Sequence, residues 1–197
     1  MTAACTAQAP LANQLSRVLL ISGAQREPRT DGLVGLAREL LGADGIEADL
    51  LDPSQHHAAD VYEKWLFADA VLVIAPAASR LITERFQPPI ERLARAGYPH
   101  HLAQRAYGVV VHGADADHTR NTLCRWFDGL GMIDADSFAT LDRHLGYHEP
   151  SADQANMAPG DEDAVAELRS VARALARAVH DSRAGRLPPP ERRATAF

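Results

Sequence analysis

Ala70–Ala75 reads AVLVIA, six consecutive apolar residues closed by Pro76. A run this short is far below the roughly 18 residues of a membrane span. Its β-branched Val71, Val73 and Ile74 suit a strand buried on both faces, as in a parallel sheet. Two further runs have the same character: RVLLIS at Arg17–Ser22 and YGVVVH at Tyr107–His112. IEADLL at Ile46–Leu51 alternates as a half-buried strand does, and Ile133–Phe138 is a weaker fifth segment.

Helical spacing fills the intervals. Leu33, Val34, Leu36, Ala37, Leu40 and Leu41 form an apolar stripe over Gly32–Leu41. Asp60–Phe67, Pro88–Ala96 and Thr119–Leu130 read as shorter helices, the last with Asp117 or His118 near its cap. Asp161–His180 is a long amphipathic one, with Val165, Leu168, Val171, Leu175 and Val179 on one side. Pro88 and Pro89 withhold two N–H donors, which predicts a helix start near Gln87 after a lengthened loop. Strands and helices thus alternate five times with short connections. The fold class is α/β, a five-stranded parallel sheet between helical layers, with strand order 2-1-3-4-5 expected. The domain spans residues 16–181, behind a loose extension at 1–15 and ahead of a Pro/Arg-rich tail at 182–197 that contains Pro188–Pro190.

Composition narrows the function classes. The 197 residues are 46% hydrophobic and 23% charged, which excludes wholesale disorder. A net charge of −6 disfavours nucleic acid and anionic membranes as partners. Residues 1–15 carry no charged side chain, so they lack the basic region of a secretory signal. Cys5 and Cys124 build no disulfide framework and match no zinc spacing, and a reducing cytoplasm is expected. Lys64 is the only lysine among 20 basic residues, so arginine carries the positive charge of every loop.

In an open parallel sheet a ligand binds outside the carboxyl ends of the strands, where the strand order reverses. That directs attention to the loops after the first, third and fourth strands: Gly23–Asp31, Pro76–Gln87 and Gly113–His118. In the first, Gly23 allows a tight exit from the strand, Thr30 and Asp31 are candidate N-caps, and Arg26 and Arg29 stand beside a helix start. Free amides, a hydroxyl and two guanidinium groups suit a phosphate monoester. The alternative is a solvated loop in an Arg-rich chain. Neither a GK[ST] ending nor a GxGxxG fingerprint is present.

Other chemistry reads weakly. His112, Asp115, Asp117 and His118 are spaced like no defensible zinc site, and no metal is expected. His56–His57 and His100–His101 read as exposed loop histidines, and Cys124 as a core thiol. Trp126 and Phe127 read as core or as an oligomer contact. Ser22, His112 and Asp115 lack the elbow a nucleophilic serine needs, and no catalytic side chain is assigned.

The first loop resembles the phosphate loop of NAD(P)H-dependent FMN reductases of the flavodoxin fold, GSxRxxR[ST]: Gly23, Arg26, Arg29 and Thr30 match, and Ala24 replaces the serine. Phe67–Leu93 is similar to that family's ADAVLxxTPxYxxSxxAxLKxxIDRL at Asp69, Ala70, Pro76, Phe86, Ile90, Glu91 and Arg92. It departs at Ala75, and at Ala77, Ala78 and Ser79, where the family places aromatic or polar side chains around the flavin. Tyr107–Gly113 resembles the fourth strand and third flavin loop, and Gly146–Pro150 a bacterial subgroup.

The resemblance implies an FMN-dependent oxidoreductase with NAD(P)H as co-substrate and a small electron acceptor (a quinone, flavin, azo or nitro compound). FMN would lie on Gly23, Arg26, Arg29, Thr30, Pro76, Ala77, Ala78, Ser79, His112, Gly113, Ala114 and Asp115. It further implies a homodimer, with apolar patches around Ile90, Leu93, Trp126 and Phe127 as candidate contacts. The alternative is a degenerate flavodoxin-fold protein that binds flavin weakly or not at all and serves as an interaction domain.

Overall fold

The computed structural model describes residues 15–24, 26–52, 55–95, 102–114, 116–135 and 162–184. In chain order these form β1 (Ser16–Ser22), α1 (Pro28–Ala43), β2 (Ile46–Leu51), α2 (Ala58–Phe67) and β3 (Ala70–Pro76). A π-helical stretch (Leu81–Phe86) then leads into α3 (Gln87–Arg95), followed by β4 (Ala106–His112), α4 (Ala116–Gly129), β5 (Ile133–Asp134) and α5 (Glu162–Arg183). The five strands pair in parallel in the order β2-β1-β3-β4-β5, as expected from the alternation.

The three apolar runs occupy the centre of the sheet. Every residue of β4 is buried, and β1 and β3 are buried from Val18 to Ser22 and from Ala70 to Ala75. Successive side chains of a strand point to opposite faces, so each run feeds two cores. Val18, Leu20, Leu72, Ile74 and Val110 join the apolar faces of α1 and α5. Leu19, Ile21, Val71, Val73, Tyr107, Val109 and Val111 meet Val61, Trp65, Ile90 and Phe127 from α2, α3 and α4. Burial on both faces is why these strands show continuous rather than alternating hydrophobicity.

At Gly108 α5 packs tightly on the sheet. A Cβ there would stand 2.5 Å from Val171 Cγ1 and 3.3 Å from Leu72 Cδ1. Gly108→Ala is therefore expected to cost about 1–3 kcal/mol by overpacking. Equilibrium urea unfolding checks this, and an unchanged midpoint would show that α5 can shift without penalty.

The structure corrects several sequence expectations. The segment before Pro88 is helical rather than a lengthened loop. α3 does begin at Gln87, but the chain already turns as a π-helix from Leu81, with the Gln87 amide reaching back five residues to the Ile82 carbonyl. Prolines lack the N–H that an α-helix would need at 88 and 89, and a wider turn just ahead of them keeps other amides bonded. The N-cap of α1 is Glu27; Thr30 and Asp31 lie within the first turn. Ile90 and Phe127 are fully buried and Trp126 is 6% exposed, so these side chains belong to the chain's own core and are not available as an oligomer surface. Among the described residues the fifth strand pairs through Ile133 and Asp134, and the Ala135 amide adds a bond to the Tyr107 carbonyl at 2.8 Å. Cys5, the Leu93 side chain, His100, His101, Asp115, Phe138, Gly146–Pro150 and Pro188–Pro190 lie outside the described residues.

Candidate functional site

β1 ends at Ser22, and the Gly23 amide continues the sheet by donating to the Ile74 carbonyl at 2.7 Å. A Cβ on Gly23 would lie 2.3 Å from the Ala75 Cβ. The glycine is thus required by the closeness of β3, not by a left-handed turn. Beyond it the Ser22 hydroxyl donates to the Ala24 carbonyl at 3.0 Å. Arg26 is exposed and adopts φ 51°, turning the chain back toward the helix. Glu27 is extended (φ −101°, ψ 114°) and Pro28 follows at the first helical position, where its preset φ suits a helix start and its missing N–H does no harm.

The Glu27 carboxylate folds over the end of α1. Oε2 accepts from the Thr30 amide and from the Thr30 hydroxyl, both at 2.6 Å, and Oε1 accepts from the Arg29 amide at 3.3 Å. On the far side of Thr30, the His112 Nε2 lies 2.9 Å from the same hydroxyl and 3.6 Å from Glu27 Oε2. The proton arrangement follows. A carboxylate has no proton to offer, so the single Thr30 hydrogen must lie toward Glu27, and His112 Nε2 must carry the hydrogen it shares with Thr30. Thr30 is fully buried and His112 nearly so. Burial by itself raises the pKa of Glu27. The bonds from the Thr30 hydroxyl and the Thr30 and Arg29 amides, with the attraction of His112, outweigh it and hold the carboxyl below its ordinary value.

The loops after β3 and β4 close on the same spot. The Ala77 amide donates to the His112 carbonyl at 2.8 Å, and the Thr119 hydroxyl of α4 donates to the Ala77 carbonyl at 2.6 Å. The Ser79 hydroxyl donates to the Gly23 carbonyl, and the Leu81 amide to Ser79 Oγ at 3.3 Å. Gly113 has φ 101°, a conformation that favours glycine, and so takes β4 sharply into its loop. Gly23, Thr30, Pro76, Ala77, Ser79, His112 and Gly113 are thereby knit together, with Ala78, Gly113 and Ala114 exposed at the rim. Arg29 is half-buried and contributes its amide. Asp115, also expected here, lies outside the described residues.

Three sequence readings change. Ser79, one of the residues on which FMN would lie, spends its hydroxyl hydrogen on the Gly23 carbonyl. The Ala77 and Ser79 amides are likewise bonded within the protein, to His112 and Pro76. Glu27, which sequence reading passed over, is the central polar group of the loop. The signal was Pro28: proline favours the first helical position, which makes residue 27 the cap.

Among the described residues, no three His, Cys, Asp or Glu side chains converge as a metal site. Cys124 is half-buried, and burial first, with nearby Asp134 and Asp128 adding, pushes its thiol up to about 11. It is a protonated, unreactive thiol at neutral pH. A cleft of about 610 Å³ lies between α3 and α4, against Glu91, Arg95, Arg125 and Trp126, and meets the three loops only at Gln87, the last residue of the second. No helix among the described residues is long and apolar enough to cross a membrane.

The donor set fits a phosphate group. Two amides and a buried hydroxyl converge at the positive end of a 16-residue helix, with arginines at 26 and 29. Pro28 withholds a third amide, and Ala24 has no hydroxyl to add. The anion seated on these donors is the chain's own Glu27.

No family model matches the chain, and no curated protein matches it. Solved structures do. A diflavin flavoprotein A3 from Nostoc sp. superposes with a TM-score of 0.57 at 14% identity, over 88% of this chain and 99% of that one. FerB, a flavoenzyme NAD(P)H:(acceptor) oxidoreductase from Paracoccus denitrificans, gives 0.55 at 15% identity, over 85% and 98%. A cysteine-to-alanine variant of flavodoxin from Pseudomonas aeruginosa gives 0.50 at 19% identity, over 81% and 98%. At such identities the likeness is one of fold, and together with the parallel order 2-1-3-4-5 it makes this a flavodoxin-like fold.

Proposed function

We propose that the chain is an FMN-dependent oxidoreductase that takes electrons from NADH or NADPH and passes them to a small acceptor such as a quinone, a flavin, or an azo or nitro compound. The observation that carries this reading is the convergence of the Arg29 amide, the Thr30 amide and the Thr30 hydroxyl on one anion seat. That seat lies at the carboxyl end of β1, where the strand order reverses, beside the loops of β3 and β4. The likeness to FerB, described as an NAD(P)H:(acceptor) oxidoreductase, supports it.

In this reading Thr30 and the Arg29 amide hold the phosphate, with the guanidinium groups of Arg26 and Arg29 supplying countercharge. The small residues Ala77, Ala78, Gly113 and Ala114 would hold the ring. When bound, FMN would supply the redox chemistry that links a reduced nicotinamide to the acceptor. The chain binds and orients, so no acid, base or nucleophile is assigned. A homodimer in the cytoplasm remains part of the proposal, with an interface elsewhere than Ile90, Trp126 and Phe127.

A titration of the purified protein with FMN and with riboflavin, followed by absorbance, tests the assignment. FMN is expected to bind more tightly than riboflavin. Arg29→Ala should weaken FMN by about one to two decades, as removal of a charge-assisted bond of roughly 1.5–3 kcal/mol does. Equal affinity for the two flavins overturns the phosphate assignment. A second reading, a flavodoxin-fold interaction domain with little or no flavin binding, is favoured by the Glu27 carboxylate on the anion seat and by the lack of ring-stacking side chains at 77 and 78. It prevails if neither the natural chain nor a Glu27 variant binds FMN.

A further inference from the structure

Resting on that reading, we propose that Glu27 is a built-in stopper of the phosphate seat, which an incoming phosphate must displace. The reason lies in what the donors can do at once. Thr30 has a single hydroxyl hydrogen, and it is directed at Glu27 Oε2, as is the Thr30 amide; the Arg29 amide is directed at Oε1. A phosphate cannot take these bonds while the carboxylate keeps them. Nor can two anions share the seat, because like charges a few ångströms apart repel strongly where water is partly excluded.

The stopper is separable from the helix it caps. The first backbone bond of α1 runs from the Asp31 amide to the Glu27 carbonyl at 2.9 Å and does not involve the carboxylate. The Glu27 side chain is 37% exposed, whereas Thr30 and His112 behind it are buried. The carboxylate can therefore swing into water by side-chain rotation alone, while Thr30 and His112 stay in place. A phosphate arriving from solvent then takes over the capping of the Arg29 and Thr30 amides, and the helix end is not left with unsatisfied donors. The cap and the ligand are alternative occupants of one seat. Glu27 thus sets how tightly the loop holds any phosphate monoester, and it selects against ligands whose phosphate cannot outcompete it. Of the side chains from other elements, His112 on β4 faces the seat, with its Nε2 3.6 Å from Glu27 Oε2.

The test uses inorganic phosphate as the first probe and FMN as the second, on the full chain and on Glu27→Ala and Glu27→Gln. Without phosphate, Glu27→Ala is expected to melt lower than the natural chain, because its cap is gone. Millimolar phosphate, compared with chloride at equal ionic strength, should restore the lost melting temperature in the variant and leave the natural chain almost unmoved. FMN should bind Glu27→Ala at least roughly tenfold more tightly than the natural chain. Riboflavin, which has no phosphate, should show no such gain. If Glu27→Ala folds poorly, Glu27→Gln keeps the side chain's length and removes its charge, and must move phosphate and FMN affinity in the same direction. Variants that gain no phosphate affinity over the natural chain overturn the stopper. Equal FMN binding by the natural chain and its variants leaves the flavin reading standing and also overturns the stopper. Gain of phosphate without any FMN binding upholds the stopper and removes the flavin reading.

Discussion

Phe127→Ala is expected to lower the free energy of unfolding by about 3–5 kcal/mol, the usual range for emptying an aromatic site in a core. For a domain of this size that is roughly 6–20 °C in melting temperature. Phe127 is fully buried at the meeting point of α2, β4 and α4. Its ring stacks on Tyr107 at 4.7 Å and 23°, lies 4.8 Å from Trp126, and meets Trp65 at 5.8 Å and 61°. Truncation removes three ring contacts from one side chain, and little can move in to fill the space, because Trp65 and Tyr107 are themselves fully buried and held by other neighbours. The loss should be independent of protein concentration in calorimetry. A concentration-dependent loss would mean that Phe127 contributes to an interface between chains instead.

The second large effect is expected at Arg105, just before β4. Its guanidinium donates to the carbonyls of Trp65 and Leu66, each at 2.8 Å, and to the carbonyl of Ala68. These are carbonyls at the end of α2, where backbone donors run out and the helix dipole favours a cation; that of Trp65 also accepts from the Ala68 amide at 3.2 Å. Burial lowers the pKa of Arg105, while Asp69 and Tyr62 act to raise it. Arginine's high intrinsic pKa keeps it charged all the same. Arg105→Ala should therefore destabilise the protein by about 2–3 kcal/mol through loss of charge-assisted bonds. Arg105→Lys should recover only part of that, because an ammonium cannot present the same planar fork to three acceptors. Urea unfolding of both variants checks this, and a full recovery by lysine would show that charge alone suffices.

The sheet was legible because burial on both faces leaves a plain mark: apolar runs at β1, β3 and β4 that no amphipathic strand would show. Strand order followed from alternation with short connections. The π-helical stretch from Leu81 was not legible. It depends on how the chain routes its amides around Pro88 and Pro89, and two missing donors allow either a loop or a widened turn. The three loops do follow β1, β3 and β4, but their internal bonding is not written in the sequence. Ser79, for instance, looks like a ligand donor in sequence, because the carbonyl of Gly23 that receives its hydrogen is 56 positions away. Glu27 shows the opposite case. Its role is local and readable from Pro28 alone, although the arginines around it point to anion binding rather than to an anion already in the loop.

Arg183, in the last turn of α5, donates to the Leu15 carbonyl at 2.9 Å and to Asp69 at 2.7 Å, while Asp69 also accepts from the Arg17 amide at 2.8 Å. The first and last described stretches of the chain are therefore tied to one point at the amino end of the strands, on the side of the sheet opposite the three loops. The domain is close to a closed ring in sequence as well as in space. A linker joining residue 184 back to residue 15 would have only a short gap to bridge, so new ends could be opened elsewhere in the chain. A domain fused directly before residue 15 or after residue 184 would join the chain at the base of the sheet, opposite the three loops.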